Sequence, residues 1–136
     1  MQKPLSAAVL GLACACAHAG DLVIRVDNVQ GATGQVRVAL FDGAADFLKR
    51  PARVAEAPAT AGATTVVFEN VAAGAYGFAV YHDVNGNGKT DRNLMGIPIE
   101  PIAFSKDAQG HMGPPTFDAV RIDVPAAGLD TSVTLR

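Results

Sequence analysis

The chain has 136 residues, with 13 acidic against 11 basic side chains and a formal net charge of −2. That balance excludes nucleic acid as an expected partner, because phosphate binding needs clustered Lys and Arg. Its two cysteines, Cys14 and Cys16, lie close to the N-terminus, so the rest of the chain must be held by its core rather than by disulfides.

The first segment has the order of a secretory signal. Lys3 supplies the positive end, Leu5–Ala17 is an uncharged apolar stretch, and Ala17-His18-Ala19 puts small residues where a signal peptidase reads. The stretch is too short to span a membrane. Cys14 and Cys16 raise lipidation as an alternative, but a lipoprotein signal wants a large aliphatic residue three places earlier, where Gly11 and Ala13 stand. The expected organisation is therefore a signal peptide over 1–19 and one domain over 20–136. Removing 19 of the 136 residues leaves 117, free of cysteine. Lys3 leaves too, so ten cations face 13 acids, a net charge of −3. No second long apolar span follows, so no membrane crossing is expected in the mature chain, which is placed in the periplasm or outside the cell.

The remainder reads as β-structure. Asp21–Val29 alternates, with Leu22, Ile24 and Val26 on one face, and Gln35–Phe41 alternates likewise. Ala44–Arg50 is the one candidate helical turn, stopped by Pro51. Ala52–Ala63 is rich in Ala and Pro and reads as a surface connection. Thr64–Val71, Ala75–His82, Ile97–Phe104, Ala119–Val124 and Thr131–Arg136 complete about seven strands. Short strands parted by Gly, Pro and Asn turns predict an all-β, antiparallel sandwich. The 105–117 segment is long for a connection, and loops of that length usually carry function. Phe104 and Phe117 bracket it as its expected anchors in the core.

The strongest local signal is Asp83-Val84-Asn85-Gly86-Asn87-Gly88-Lys89-Thr90-Asp91. Asp83, Asn85, Asn87 and Asp91 put oxygen side chains at loop positions 1, 3, 5 and 9. Glycine stands at position 6, and the Lys89 carbonyl would serve at position 7. Ca²⁺ takes six to eight oxygens, and alternate residues of a tight loop can point inward together. Two departures separate this from an EF-hand: position 12 is Leu94 rather than a bidentate Glu, and the approach is a strand rather than a helix. Glu100 is the nearest downstream acid able to replace the missing ligand, and with so few charges the expected affinity is low, on the order of 10⁻⁴–10⁻³ M. The competing reading is a metal-free turn, since Asn-Gly occurs twice and is a strong hairpin signal by itself.

Other chemistry is thin. His82 shares a strand face with Tyr76, Phe78 and Val80 and reads as a hydrogen-bonded structural residue at the core's edge. Tyr76 and Tyr81 fall on opposite strand faces, which argues against a two-Tyr, two-His iron site with His82 and His111. Ser105 lacks the Gly-x-Ser-x-Gly setting of a hydrolase nucleophile. Glu100 and Asp107 make an acid/base pair only if the fold unites them; otherwise they are solvated. No catalytic set emerges.

The stretch Gly74–Ala119 carries Gly74-x-Tyr76, His82-Asp83-x-Asn85-Gly86-Asn87-Gly88, Asp91, Gly96-x-Pro98-x-Glu100, Phe104-Ser105 and Gly113-Pro114-Pro115-x-Phe117. This series resembles a bacterial family of exported proteins known as a domain of unknown function (family 2141). The resemblance implies a secreted sandwich of the transthyretin or prealbumin-like kind, with no established activity. Hydroxyisourate hydrolases of that wider class end in Tyr-Arg-Gly-Ser; this chain ends Thr131-Ser132-Val133-Thr134-Leu135-Arg136, so that activity does not carry over. The motif residues cluster in two segments, 82–100 and 104–117, expected to pack at one end of the sandwich. His82, Ser105, His111, Pro114 and Pro115 are then the candidate binding surface. The preferred function is a non-catalytic, calcium-stabilised binding or accessory module for an envelope protein or glycan. An enzyme built around His82, Glu100 and His111, and a purely structural domain, are the alternatives.

Overall fold

A computed structural model describes residues 19–84 and 100–136 of the chain. The fold is an all-β sandwich of two sheets. Strands β1 (Gly20–Val29), β4 (Gly62–Val71) and β8 (Leu129–Thr134) form one sheet, in the order β4-β1-β8. The other holds β3 (Arg53–Pro58), β2 (Gln35–Phe41), β5 (Gly74–Asp83) and β6 (Ile102–Phe104), in the order β3-β2-β5-β6, with β7 (Ile122–Val124) also on β5.

The inner faces follow the two-residue period of the sequence. Leu22, Ile24 and Val26 of β1 meet Val36, Val38 and Leu40 of β2, Val66 and Phe68 of β4, and Phe78 and Val80 of β5, all essentially without solvent exposure. The chain changes sheet between β4 and β5 in a short corner. There the Tyr76 hydroxyl donates to the Ala72 carbonyl at 2.7 Å, so the ring packs on the core while its polar tip fixes the turn.

The strands differ from expectation in four places. β3 occupies part of the segment read as a surface connection. Its Ala-rich alternation is weak because it is an edge strand, held in register with β2 from Gln35↔Pro58 to Leu40↔Arg53. Ala44–Arg50 is a run of hydrogen-bonded turns rather than a helix. Ala119–Val124 is not one strand: Phe117–Val120 is a short helix, α1, capped by the Thr116 hydroxyl accepting from the Ala119 N–H, and only Ile122–Val124 pairs with β5. Of the strand expected over 97–104, residues 102–104 pair with β5; residues 97–99 lie outside the described part. The pairings are antiparallel except β1 with β8, which is parallel. β8 arrives by crossing from the other sheet through the Pro125–Gly128 turn rather than by a hairpin, so its direction is not forced to oppose β1. Gly128 takes φ +90° there, with its Cα side against the Asp21 backbone, a position a side chain cannot share.

On its far edge β5 carries two short partners rather than one long strand. β6 covers residues 79–81 and β7 covers residues 74–76. Between β6 and β7 the chain leaves as a single 3₁₀ turn, η1 (Ser105–Asp107), then the 108–116 segment and α1. It lies against the outer face of the five-stranded sheet, the face turned away from the core.

Candidate functional site

Ser105 explains how this excursion is attached. Its hydroxyl accepts from the Phe78 N–H at 3.0 Å and donates to the Val120 carbonyl at 2.5 Å, so it fills the gap in the β5 edge between β6 and β7. Ser105 is fully buried, which makes it a part of the fold and removes it from the candidate binding surface. The other end is held by aromatic contacts outside the core. Phe117 meets Phe47 edge-on at 5.8 Å, and Phe47 meets Phe41 at 5.2 Å. Val120 and Phe117 close over Gly77. Phe104 and Phe117 are half-buried on this outer side, not in the core as expected, because their strand positions or helix place them on the outward face.

The result is a trough on the outer face of the five-stranded sheet, with a volume of about 1010 Å³. Its floor is low because Ala39 and Ala79 stand opposite each other in register, with Val54 beyond one and Phe104 beyond the other. Phe41, Tyr81 and Ile102 rise around it, and Gly110 to Pro115 form one side. Leu48 and Met112 stand at its lips, 42% and 108% exposed. The 105–117 segment therefore lies over a sheet face, rather than at the end of the sandwich as expected. The physical reason is the Ser105 attachment to the middle of β5. Pro115 is buried, Pro114 is exposed and both line the trough; His111 is exposed on the same segment.

His82 belongs to the inner face of β5, in register with Val36, and is 2% exposed. Its Nε2 lies 2.6 Å from the Thr33 carbonyl, so that nitrogen carries the proton and donates. Its Nδ1 is buried without a partner among the described residues. His82 and His111 thus sit on opposite sides of the sheet, and the two do not converge on one pocket. Asp107 is also committed elsewhere: its carboxylate accepts from the Thr134 N–H at 2.8 Å, tying η1 to β8.

The predicted calcium loop is described only at its two ends. Asn85, Asn87, Lys89 and Asp91 lie outside the described residues. Asp83 ends β5 at 2% exposure and Glu100 precedes β6 at 7%. Glu100 accepts from the Val84 N–H at 2.8 Å, which draws the two ends of the 84–100 segment together. Tyr81 is the neighbour these acids share. Burial raises its pKa above the ordinary tyrosine value; Arg37 opposes that shift, and Asp83, Glu100 and Glu56 add to it. Arg37 itself is paired with Glu56 at 3.0 Å across β2 and β3. Among the described residues no group of three or more His, Asp or Glu side chains gathers as a metal cluster. Two buried carboxylates at the neck of an oxygen-rich segment nonetheless have the donor chemistry a hard cation prefers.

The family model described as "Uncharacterized protein conserved in bacteria (DUF2141)" matches residues 24–132, which is most of the chain. The chain belongs to this family. No curated protein and no solved structure matches it. The matched region covers most of both sheets, the Asp83–Glu100 neck and most of the trough, whose Thr134 and Arg136 lie beyond it. No helix among the described residues is long and apolar enough to cross a membrane.

Sequence reasoning missed the trough. The signal was present in the outward positions of two neighbouring strands. Ala39 and Phe41 of β2, and Gly77, Ala79 and Tyr81 of β5, carry no charge where a solvated face would have one.

Proposed function

We propose that this protein is a non-catalytic binding module that works outside the cytoplasm, with the 84–100 segment braced by Ca²⁺ beside the binding trough. The observation that carries the reading is the burial of Asp83 and Glu100 at the two ends of a segment whose sequence supplies Asn85, Asn87 and Asp91. Ca²⁺ takes all-oxygen shells, and the two acids stand at the neck of a segment whose sequence supplies further oxygens. Tyr81 connects the two parts, since it lines the trough and lies within the field of both acids. Bracing the neck would therefore steady one wall of the trough. Export is supported by the match between the Ala17-His18-Ala19 signal and the start of β1 at Gly20, so cleavage there leaves every strand intact. An envelope protein, glycan or small molecule is the class of ligand such a module takes.

The test is a thermal melt of the processed chain in millimolar Ca²⁺ and in chelator, beside Asp83→Asn. A ligand bound only by the folded state raises Tm. The expected result is a Ca²⁺-dependent rise of roughly 3–6 °C for a domain of this size, abolished in the variant. Equal melts with and without Ca²⁺ would return 83–91 to a metal-free Asn-Gly turn.

A further inference from the structure

We propose that the trough binds one long-chain fatty carboxylate, with its acyl chain along Ala39 and Ala79 and its carboxylate toward Arg136. The inference deepens the binding reading above by naming the ligand class, and it does not depend on the calcium loop.

Four observations select this chemistry. The floor offers no backbone hydrogen bonds, because β2 lies between β3 and β5, and β5 lies between β2 and the β6/β7 pair. A peptide added as a strand would need a free edge there, whereas a hydrocarbon chain needs none. The floor is apolar and low, with paired alanines between Phe41, Tyr81, Ile102 and Phe104. The volume of about 1010 Å³ is at the upper end for a small-molecule site and accommodates an extended chain.

The lips are the third observation. Leu48 and Met112 both adopt positive φ, 60° and 55°, and both hold large apolar side chains in solvent. A left-handed backbone is unfavourable for such residues, and exposure of their side chains adds to the cost. Two such residues lining one apolar trough point to side chains placed to contact a ligand.

The fourth is charge. Asp107 and Arg136 are the charged residues among those described in the lining. The Asp107 carboxylate is turned to the Thr134 N–H, and Arg136 supplies the one cation of the described lining. Arg136 lines the trough, and its backbone exchanges hydrogen bonds with Ile102 at 3.1 and 3.2 Å. One cation in a mainly apolar lining can receive the single anionic head of an apolar chain.

The experiment titrates the processed protein with cis-parinaric acid, whose fluorescence rises in an apolar site, and displaces it with dodecanoate. Saturable one-to-one binding is expected. Ala79→Leu, which fills the floor from the outside, should weaken it at least tenfold. Met112→Gln, fully exposed and unable to disturb the core, should weaken it severalfold. Dodecanol should compete less well than dodecanoate. Absence of saturable binding overturns the proposal, as does binding that neither variant changes. Competition by lysophosphatidylglycerol without competition by dodecanoate overturns it in favour of a lipid head group. A stable dimer in sedimentation that Met112→Gln dissociates overturns it in favour of a second copy. Calcium is varied separately. Fatty-acid binding with no calcium shift in Tm leaves this inference standing and removes the calcium half of the function; the converse removes this inference alone.

Discussion

The two outer faces of the sandwich are made by the same alternation and differ in what the outward positions hold. On the three-stranded sheet they are Val23, Arg25 and Asp27 of β1, Thr65, Val67 and Glu69 of β4, and Asp130 and Ser132 of β8. Arg25 and Asp27 pair at 2.8 Å with their side chains open to solvent among the described residues. On the five-stranded sheet the Arg37–Glu56 pair occupies one part of the outward face, but Ala39, Phe41, Gly77, Ala79, Tyr81 and Phe104 make the rest apolar, and the 105–120 excursion is attached over them. A sheet needs one apolar face to fold. The second apolar stretch here is surplus to that need, so its residues answer to the excursion attached over them.

If that contrast is right, substitutions beneath the excursion should be costly in a way that those on the other face are not. The largest effect is expected at Ser105. Ser105→Ala removes the atom that partners the Phe78 N–H at the break between β6 and β7, and leaves the Val120 carbonyl without its hydroxyl. An unsatisfied buried donor costs about 1–3 kcal/mol, so denaturant unfolding should show a loss near the top of that range. A smaller loss would mean that water enters the gap and that the excursion is held by its aromatic contacts alone.

Gly77→Ala comes next. A methyl group there would sit 2.6 Å from Val120 Cγ2 and 3.3 Å from the Phe117 ring. Val120 is fully buried, so α1 must shift to make room. Overpacking of this kind costs about 1–3 kcal/mol, and the partial exposure of Phe117 lets α1 yield and puts the expected loss at the low end. The sharper readout is proteolysis. Cleavage in 105–120 should accelerate more than unfolding of the strands does, because the clash lifts the excursion and leaves the inner core untouched. Equal acceleration everywhere would mean that the excursion and the sandwich unfold as one unit.

Much of the fold was legible in the sequence because the inner face of every long strand is written as a two-residue period. Leu22-x-Ile24-x-Val26 and Val36-x-Val38-x-Leu40 leave no other register for a buried sheet. β3 was not legible: Ala55 and Ala57 bury little area, and an edge strand can be polar on both sides. α1 was not legible because four residues carry no period, and its start is set by the Thr116 cap and by contact with Gly77. The motif Phe104-Ser105 and the Gly113-Pro114-Pro115 run stood out in the sequence, but what they do depends on contacts far along the chain. Ser105 reaches back 27 residues to Phe78. His82 stood out likewise, and its partner is the carbonyl of Thr33, 49 residues away. Residue type marked Ser105 and His82 as constrained; only the three-dimensional partner shows that the constraint is structural.

The smallest expected effect concerns Tyr81, where the apolar face meets the acidic neck. Burial raises its pKa above 10.0, Arg37 lowers it, and Asp83, Glu100 and Glu56 raise it again. A folded-state pKa above the unfolded value means that the folded chain holds this proton more tightly. The stabilisation is complete below pH 10 and is lost as pH rises through the folded value, because the unfolded chain ionises first. Tyr81→Phe should therefore leave stability near pH 7 little changed and flatten the alkaline limb of the stability curve above pH 10. Ca²⁺ sharpens the reading. If the cation sits between Asp83 and Glu100, it cancels two of the charges that add to the effect of burial, and the alkaline limb of the wild-type protein should move to lower pH in its presence. A Tyr81 absorbance titration at fixed Ca²⁺ and in chelator measures that movement directly. Coincident titrations would place any bound cation away from both carboxylates, and would separate the neck from the trough wall that Tyr81 forms.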